Sequence, residues 1–354
     1  MVASKSIFGK KTLSAVGLDI GTYAVKLVKL SIPEKGNPTL MAMGMRELPP
    51  NAIVEKDIRD SEGVIYTIQT LVEQVAPEIT DVIINLSGHK VFTDRIQIAL
   101  TGKKMKLGEA VMLEAEQRIP TGTEGISVDY YPLGKTPDGK MEDVILVAAR
   151  RELVESYIAA VRDAGLDPII VDTDFFAMYN VFEVNYGIPD EGVIALINIG
   201  HALTNITVII DGSYYTVRDV SSGARAVWDS IQSELRLNQE DMDDLIKGEF
   251  PIEDPREYKE AAFIAAEELK LGLDVAFGYI ESVTNGRTID QAYVAGGGAV
   301  IEGVVDALSS KMSLPIISIN PFKTLTPAKG VFSGMDPDKI GPVYANAIGM
   351  ALRG

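Results

Sequence analysis

The chain has 354 residues and a formal net charge of −17, with 33 Lys and Arg against 50 Asp and Glu. Because nucleic acid and anionic lipid bind clustered Lys and Arg, this charge argues against either as a direct partner. The sequence has no cysteine, which excludes disulfides, thiolate metal sites and thiol catalysis. Its two histidines, His89 and His201, are far apart, so we expect no histidine-based metal site.

The N-terminus lacks an apolar core of signal-peptide length, and no stretch reaches the roughly 20 apolar residues of a membrane helix. We therefore expect a soluble, cytoplasmic chain that reaches a membrane only through partners.

The predicted elements alternate between strands and helices. A hairpin comes first, with two apolar runs over residues 16–30 around a Gly-Thr-Tyr turn. Helical spacing then predicts helices in VIYTIQTLVEQV, LGEAVMLEAEQR, RRELVESYIAAVRDAG and FFAMYNVFEVNYG. Between them, DVIINLSG, FTDRIQIAL, SVDYYPLG, EDVILVAA and DPIIVDTD are typical of strands.

A second block begins like the first. GLDIGTYAVKLV and INIGHALTNITVI can be superposed at their Ile-Gly, each as strand, polar turn and strand. A long helical stretch follows, then a strand-glycine-helix unit in QAYVAGGGAVIEGVVDAL and a closing amphipathic helix in GPVYANAIGMALRG. This pattern predicts an α/β architecture made of two related halves.

The first turn has the residue types of a phosphate-binding loop. Gly21 leaves room for an anion, and the amides of Thr22 and Tyr23 are suitable donors to a terminal phosphate. Asp19 is acidic, so a cation such as Mg²⁺ must lie between it and phosphate. Lys26 has the spacing to reach back as a point charge. An ordinary surface hairpin is the alternative for this segment taken alone.

Two later glycine turns extend the predicted site. The second provides Gly200 and the amides of His201 and Ala202, with Thr204 closing the turn, and we expect the His201 side chain to be a surface imidazole. The third, Gly296 to Gly298 (Gly296, Gly297 and Gly298), lets a base or ribose lie against backbone at a helix N-terminus. Neither a P-loop nor an N-terminal dinucleotide fingerprint is present.

Glu267 and Lys270 lie three residues apart on one predicted helical face. They suit a carboxylate on ribose hydroxyls and an ammonium near the base or phosphates. The alternative is a surface salt bridge of little energetic value.

The ordered set GLDIGT, NIGHALT, AGGG and PVYANAIGMAL resembles the phosphate-1, phosphate-2, adenosine and connect-2 segments of the actin/Hsp70/sugar-kinase superfamily, and VDTDFFAMYN resembles connect-1. The resemblance implies an actin-like two-domain fold, with two ribonuclease-H-like halves around a cleft for ATP and Mg²⁺. It places Asp19 at the metal, together with position 198, most simply through water.

Further stretches, among them LVAARRELVESYIAAVRDAGLDPIIVDTDFFAMYNVF, QRIPTGTEGISVDYYPLG and SINPF, are similar to the PilM family of type IV pilus assembly, in the FtsA-like branch. The resemblance implies a first domain at 12–190 with an inserted subdomain at about 87–164, a second domain at 191–340, and a last helix at 341–354 that packs back on the first. It also implies binding of the cytoplasmic N-terminal peptide of PilN in a groove of the first domain. That contact would link the inner-membrane PilN/PilO complex to the pilus motor ATPases.

Two positions depart from the superfamily pattern. Asn198 stands where an Asp is usual, which weakens metal binding, and Asp174 stands where active ATPases commonly have Glu. Asp174 is one methylene shorter, so as a catalytic base it would fall short of the attacking water. Both changes favour ATP binding over hydrolysis.

An ATP-binding adaptor is therefore the function that the sequence favours. The alternatives are an FtsA-like or filament-forming cytoskeletal ATPase and, less favoured, a small-molecule kinase of the same superfamily. No motif for an acceptor site supports the kinase.

Overall fold

A computed structural model describes residues 13–86, 88, 90–99, 105–119, 122–136 and 138–353. The strands are β1 (Leu13–Ile20), β2 (Ala24–Ile32), β3 (Thr39–Glu47), β4 (Ile53–Val54), β5 (Asp57–Ile58), β6 (Asp81–Leu86), β7 (Val91–Ile98), β8 (Ile126–Lys135), β9 (Glu142–Arg150), β10 (Asp167–Thr173), β11 (Val193–Ile199), β12 (Thr204–Ile210), β13 (Ser213–Val220), β14 (Gln291–Ala295), β15 (Ile316–Ser318) and β16 (Thr326–Pro327). The helices are α1 (Ser61–Val75), α2 (Leu107–Arg118), α3 (Arg151–Asp163), α4 (Asp174–Tyr186), α5 (Ala224–Leu235), α6 (Gln239–Lys247), α7 (Pro255–Val283), α8 (Val304–Met312), α9 (Pro337–Ile340) and α10 (Ala345–Ala351). His89 lies outside the described residues, as do three of the predicted limits: 12 for the first domain, 87 for the inserted subdomain and 354 for the last helix.

Two sheets repeat one strand order. The first runs β10-β6-β1-β2-β3-β16 and the second β15-β14-β11-β12-β13. In each sheet the leading hairpin is antiparallel (β1 with β2, β11 with β12), and its first strand pairs in parallel with a later strand (β6 or β14). The two related halves that the sequence predicts are thus present as duplicated topology.

The third strand of each half, β3 or β13, was not predicted. In β3 the segment TLMAMGMRE is rich in Met and contains Gly, residue types that do not favour strands. In β13 most side chains are only half-buried, because it is the outermost strand of its sheet. Both strands form by tertiary pairing with the hairpin beside them, which local sequence does not reveal.

Three layers of helices enclose the two sheets. The α1 and α3 helices cover the outer face of the first sheet, and α5, α7 and α8 cover the outer face of the second. The α4 and α10 helices contribute to a core that draws apolar residues from both sheets. Burial of this apolar surface is the main stabilising term of the fold.

The last helix, α10, lies very close to the first sheet. A Cβ at Gly17 would lie 1.9 Å from the Ala347 carbonyl oxygen, and a Cβ at Gly349 would lie 1.9 Å from the Ala177 oxygen. Asn180 donates from Nδ2 to the Gly349 oxygen at 3.1 Å. Glycine at these two positions lets backbone approach backbone.

The β7, β9 and β8 strands form a separate small sheet, packed with α2, between β6 and β10 in the chain. Arg95 ties this inserted unit to the second half. Its Nε donates to Asp143 Oδ1 at 3.0 Å, and its Nη1 donates to the Tyr214 carbonyl oxygen at 2.6 Å. The outer strand β7 therefore faces the outer strand β13.

Candidate functional site

The turns of the two hairpins open onto one shared cavity of about 230 Å³. Most of the predicted site residues line it: Asp19, Gly21, Thr22, Tyr23, Lys26, Asp174, Asn198, Gly200, His201, Ala202, Gly296 and Gly297. Thr204, Glu267, Lys270 and Gly298 are not among the described residues that line it. The fold thus brings together residues separated by more than half of the chain.

The two turns have the same backbone geometry. Gly21 donates its N–H to the Ala24 carbonyl at 3.1 Å, and Gly200 donates to the Leu203 carbonyl at 3.0 Å. Four neighbouring amides donate to no protein acceptor in the described part of the chain, namely those of Thr22, Tyr23, His201 and Ala202. Unpaired amides in a tight turn attract anionic oxygens, so each half offers a pair of donors to the cavity.

Asp19 lies at the end of β1 and is only 4% exposed. Its Oδ2 accepts from Lys26 Nζ at 2.9 Å, and its Oδ1 accepts from Asn85 Nδ2 at 2.9 Å. The antiparallel register places Lys26 directly opposite Asp19. In this arrangement Lys26 neutralises the buried carboxylate, although it still lines the cavity.

Asn85 was missed in the sequence, and it joins three parts of the site. It is 2% exposed on β6, its Oδ1 accepts from the Ile20 amide at 2.9 Å, and its Nδ2 donates to Asp19 and to Asp174. An amide suits this position because it can accept from the backbone and donate to two carboxylates. A polar residue inside the apolar run VIINL was the available signal.

The donors at the cavity fit a magnesium ion held with phosphate. Carboxylate and amide oxygens are ligands that Mg²⁺ accepts, and Asp19 and Asn198 line the same cavity. Each Asp19 oxygen accepts one hydrogen bond, so this carboxylate is already partly satisfied without a metal. Among the described residues no group of three or more His, Cys, Asp or Glu could hold a metal, so phosphate and water would have to complete the shell.

The second turn is held by the segment that follows β13. Ala224 donates its amide to the Gly200 carbonyl at 2.8 Å, and Arg225 donates to the His201 carbonyl at 2.9 Å. Thr204 donates from Oγ1 to the Ser222 carbonyl at 2.8 Å. Thr204 therefore closes the turn from behind, and in this arrangement its hydroxyl is directed at backbone.

The rings of Tyr23 and His201 stack across the two hairpins, with centroids 5.1 Å apart and an interplanar angle of 27°. Burial, with Arg225 nearby, lowers the pKa of the His201 imidazole. Burial and the neighbouring Glu47 raise the pKa of the Tyr23 phenol. Both rings are therefore neutral near pH 7. Instead of the expected surface imidazole, the His201 ring packs between the halves.

The three glycines of the third turn have different surroundings. Gly296 has a φ of +88°, and a Cβ there would lie 2.6 Å from Asn198 Oδ1. A Cβ at Gly298 would lie 2.1 Å from Ile199 Cγ2, so this residue is fixed by packing. Only Gly297 has open space around it. Close approach of a flat ligand is thus best accommodated at Gly297.

Glu267 and Lys270 make ion pairs on α7. Glu267 Oε2 accepts from Lys311 Nζ at 2.6 Å, and Lys270 pairs with Asp274. The adjacent Glu268 accepts from Ser222 Oγ at 3.4 Å, so it faces the segment that holds the second turn. The ribose roles of Glu267 and Lys270 remain predictions.

A groove of about 790 Å³ lies between the inserted unit and the first half. Its lining includes the apolar side chains of Phe92 on β7 and Leu153 on α3, with Arg59, Lys90 and Arg150 among its charged residues. Lys90 pairs with Asp57 and lowers the pKa of that carboxyl. The groove therefore combines apolar contacts with three basic residues and two acidic ones, Asp57 and Glu152.

In the part of the chain that the structure describes, no helix has the length and apolar character needed to cross a membrane.

Comparison with known proteins gives one family match and two similar structures. A family model described as type IV pilus assembly protein PilM matches residues 17–354. The structure of a PilM-PilN type IV pilus biogenesis complex is similar to the chain at a TM-score of 0.80 and 25% identity, covering 96% of this chain and 98% of that chain. The ethanolamine utilization protein EutJ from Carboxydothermus hydrogenoformans gives a TM-score of 0.57 at 16% identity, covering 97% and 90%. The similarity to EutJ concerns the fold alone. The predicted actin-like α/β fold is confirmed.

Proposed function

The chain belongs to the PilM family of type IV pilus assembly proteins, as its sequence predicted, and on that basis we propose that it is an ATP-binding adaptor. In this proposal the cavity between the hairpin turns holds ATP, and the groove beside the inserted unit holds the cytoplasmic N-terminal peptide of PilN. The protein would thus be cytoplasmic, recruited to the inner membrane through PilN and PilO, and it would link them to the motor ATPases.

The observation that carries the nucleotide proposal is the convergence of two equivalent turns on one cavity. Thr22 and Tyr23 on one side, with His201 and Ala202 on the other, present amide donors that have no acceptor in the described residues. A triphosphate is an anion long enough to accept from both turns, and open space at Gly297 suits the nucleoside. Mg²⁺, when bound with the phosphates, would neutralise charge that Asp19 would otherwise repel.

The same residues favour binding over hydrolysis. Asp174, the nearest candidate for a general base, is 5% exposed and accepts a hydrogen bond from Asn85. A base must be able to reach the attacking water, and this short carboxylate is held back by the amide. Asn198 lines the cavity without a charge, so it holds a metal shell less firmly than a carboxylate.

The peptide proposal is supported by the similar complex, which contains PilM and PilN, and by the groove itself. Apolar side chains beside charged residues suit a short peptide with apolar anchors and a carboxylate or carbonyl to accept hydrogen bonds. Half-buried Phe92 is the main apolar contact on this side, with buried Leu153 behind it, and Arg150 is an exposed donor in the groove lining.

Calorimetric titration with Mg·ATP, followed by phosphate-release measurements, tests the nucleotide proposal. We expect binding with slow or absent turnover, and we expect Asn198→Asp to increase the dependence of affinity on Mg²⁺. A wild-type chain that binds no nucleotide, or that transfers phosphate rapidly to a small molecule, would contradict the proposal. Unchanged Mg²⁺ dependence in Asn198→Asp would place that residue outside the metal shell.

The peptide proposal is tested separately by fluorescence anisotropy with a labelled PilN N-terminal peptide. Phe92→Ala should weaken binding at least about tenfold, because an aromatic side chain that a bound peptide covers is a typical hot spot. Phe263→Ala, an exposed aromatic on α7 away from the groove, is the matched control and should bind like the wild type. Equal affinities for all three proteins would rule out this groove.

A further inference from the structure

An exposed apolar ridge runs along the C-terminal half of α7. Leu271, Val275, Tyr279 and Val283 follow at intervals of four residues and are 57%, 76%, 44% and 41% exposed. Side chains at this spacing form one continuous row on a helix surface. Nothing in the cavity between the hairpin turns or in the peptide groove uses these residues. We call this row the α7 ridge.

A glycine with no internal role lies beside the ridge. A Cβ at Gly278 would find no atom within 4 Å, whereas a Cβ at Gly272 on the same helix would lie 2.2 Å from Val220 Cγ1. Packing inside the chain therefore explains Gly272 and leaves Gly278 unexplained. Apart from proline, glycine is the poorest helix former, so its place inside α7, five residues before the end of the helix, needs another reason. Close approach of a second helix beside Val275 supplies one.

Two unmatched charges flank the ridge. The Arg218 guanidinium lies 3.9 Å from the centre of the Tyr279 ring, and no carboxylate of the described residues lies within 4 Å of it. Glu268 is exposed, its hydrogen bond comes from Ser222 Oγ, and no cation of the described chain forms an ion pair with it. Arg218 also donates to the Val217 carbonyl, so both side chains have hydrogen bonds within the chain but no ion pair among the described residues. Two opposite charges of this kind near the two ends of one apolar row suggest a partner that presents the same charges in the reverse order.

We propose that the partner is a second copy of this chain, with the two α7 ridges packed antiparallel about a two-fold axis between Leu271 and Val275. At about 100° per residue, Glu268 and Tyr279 lie on the same side of Leu271 around the helix, at about 60° and 80° from it. A two-fold axis keeps equivalent residues on the same side of the helix pair and reverses the direction of the second helix. It therefore sets Leu271 against the partner's Val275 and Arg218 against the partner's Glu268.

The surface predicts a weak, reversible dimer. Rows spaced by four residues interlock at a crossing angle of about −50°, so contact is confined to the middle of the helices. An interface of this size falls at the low end of specific contacts, below roughly 1,200 Å². Two chains with a net charge of −17 repel each other at long range, and a Debye length of about 8 Å near 0.15 M salt removes most of that repulsion.

Sedimentation velocity of the full chain at 0.15 M salt, over a concentration series, tests the proposal. We expect the weight-average sedimentation coefficient of the wild type to rise with concentration toward that of a dimer. Val275→Glu should abolish the rise, since it buries a charge at the two-fold axis. Leu113→Glu, at another exposed apolar residue on α2, is the matched control and should behave like the wild type. Circular dichroism of each variant verifies folding.

A charge exchange tests the orientation. Arg218→Glu and Glu268→Arg should each raise the dimer dissociation constant about fivefold or more, and the double exchange should restore it. Restoration requires the two side chains to meet across the interface, which mere loss of stability would not produce. A wild-type chain that stays monomeric to its solubility limit, a Val275→Glu chain that still dimerises, or a double exchange without restoration would each overturn the proposal. None of these outcomes depends on nucleotide or peptide binding.

Discussion

Replacing Asn85 by aspartate tests whether the buried amide holds the acidic side of the cavity together. The substitution keeps the size and shape of the side chain, so packing on β6 should be retained. It replaces an N–H₂ group that donates to Asp19 and Asp174 by an oxygen that can only accept when ionised. Three carboxyl groups would then share a site of low exposure, with Lys26 as the cation paired to Asp19.

The expected size of the effect follows from Coulomb's law. Two unit charges about 4 Å apart repel by about 4 kcal/mol at an effective dielectric constant of about 20. Protonating the introduced carboxyl removes this repulsion, so its folded-state pKa is raised above its unfolded value. Stability is therefore retained at low pH and lost as the pH rises through that raised value. We expect Asn85→Asp to unfold more easily than the wild type by about 4 kcal/mol at pH 8, and by much less at pH 5.

Urea unfolding of both proteins at the two pH values measures this difference. Asn180→Ala is the control, because it removes the hydrogen bond to the Gly349 carbonyl without adding a titratable group, so its loss of stability should be the same at both pH values. If Asn85→Asp were as stable as the wild type at pH 8, or equally destabilised at both pH values, the proposed role of the amide would be refuted.

Three further outcomes can be measured by unfolding. Burial raises the pKa of the Asp172 carboxyl to about 6, against 3.8 when unfolded. The folded state therefore favours the protonated carboxyl, and the free energy of unfolding should fall by up to about 3 kcal/mol as the pH rises from 4 to 7. Asp172→Asn should remove this dependence of stability on pH. Gly349→Ala should lower the melting temperature, since the new Cβ would meet the Ala177 oxygen, whereas helix propensity alone predicts a rise. Thr204→Val leaves the Ser222 carbonyl without its donor and should cost about 1–3 kcal/mol together with some affinity for ATP, and unchanged values for both would contradict the role given to the turn.

Much of the fold was predictable because its signals are local. The Ile-Gly hairpins, the helix periodicities and the alternation of strands and helices define the two halves before any tertiary contact is known. The β3 and β13 strands were not predictable in this way, since partly buried strands of this kind depend on pairing with the hairpin beside them. Their identical place in the two sheets is visible only in the structure.

The site could be predicted where backbone turns define it and less well where side chains meet across the chain. Asp19 and the turn glycines were predicted because the acid and the glycine of a phosphate-binding turn are neighbours in the sequence. Asn85 was missed because its role depends on contacts with residues 66 and 89 positions away. The partners of Lys26 and Glu267 likewise come from neighbouring elements, namely β1 and α8.

The comparison of ATP with adenosine by calorimetry, for the wild type and for Asp19→Ala, tests most directly whether the paired turns hold phosphates. We predict that the wild type binds Mg·ATP far more tightly than adenosine, and that Asp19→Ala removes most of this difference while leaving adenosine affinity unchanged. Equal affinity of the wild type for the two ligands, or a full preference for Mg·ATP retained in Asp19→Ala, would contradict the proposal that the paired turns hold phosphates.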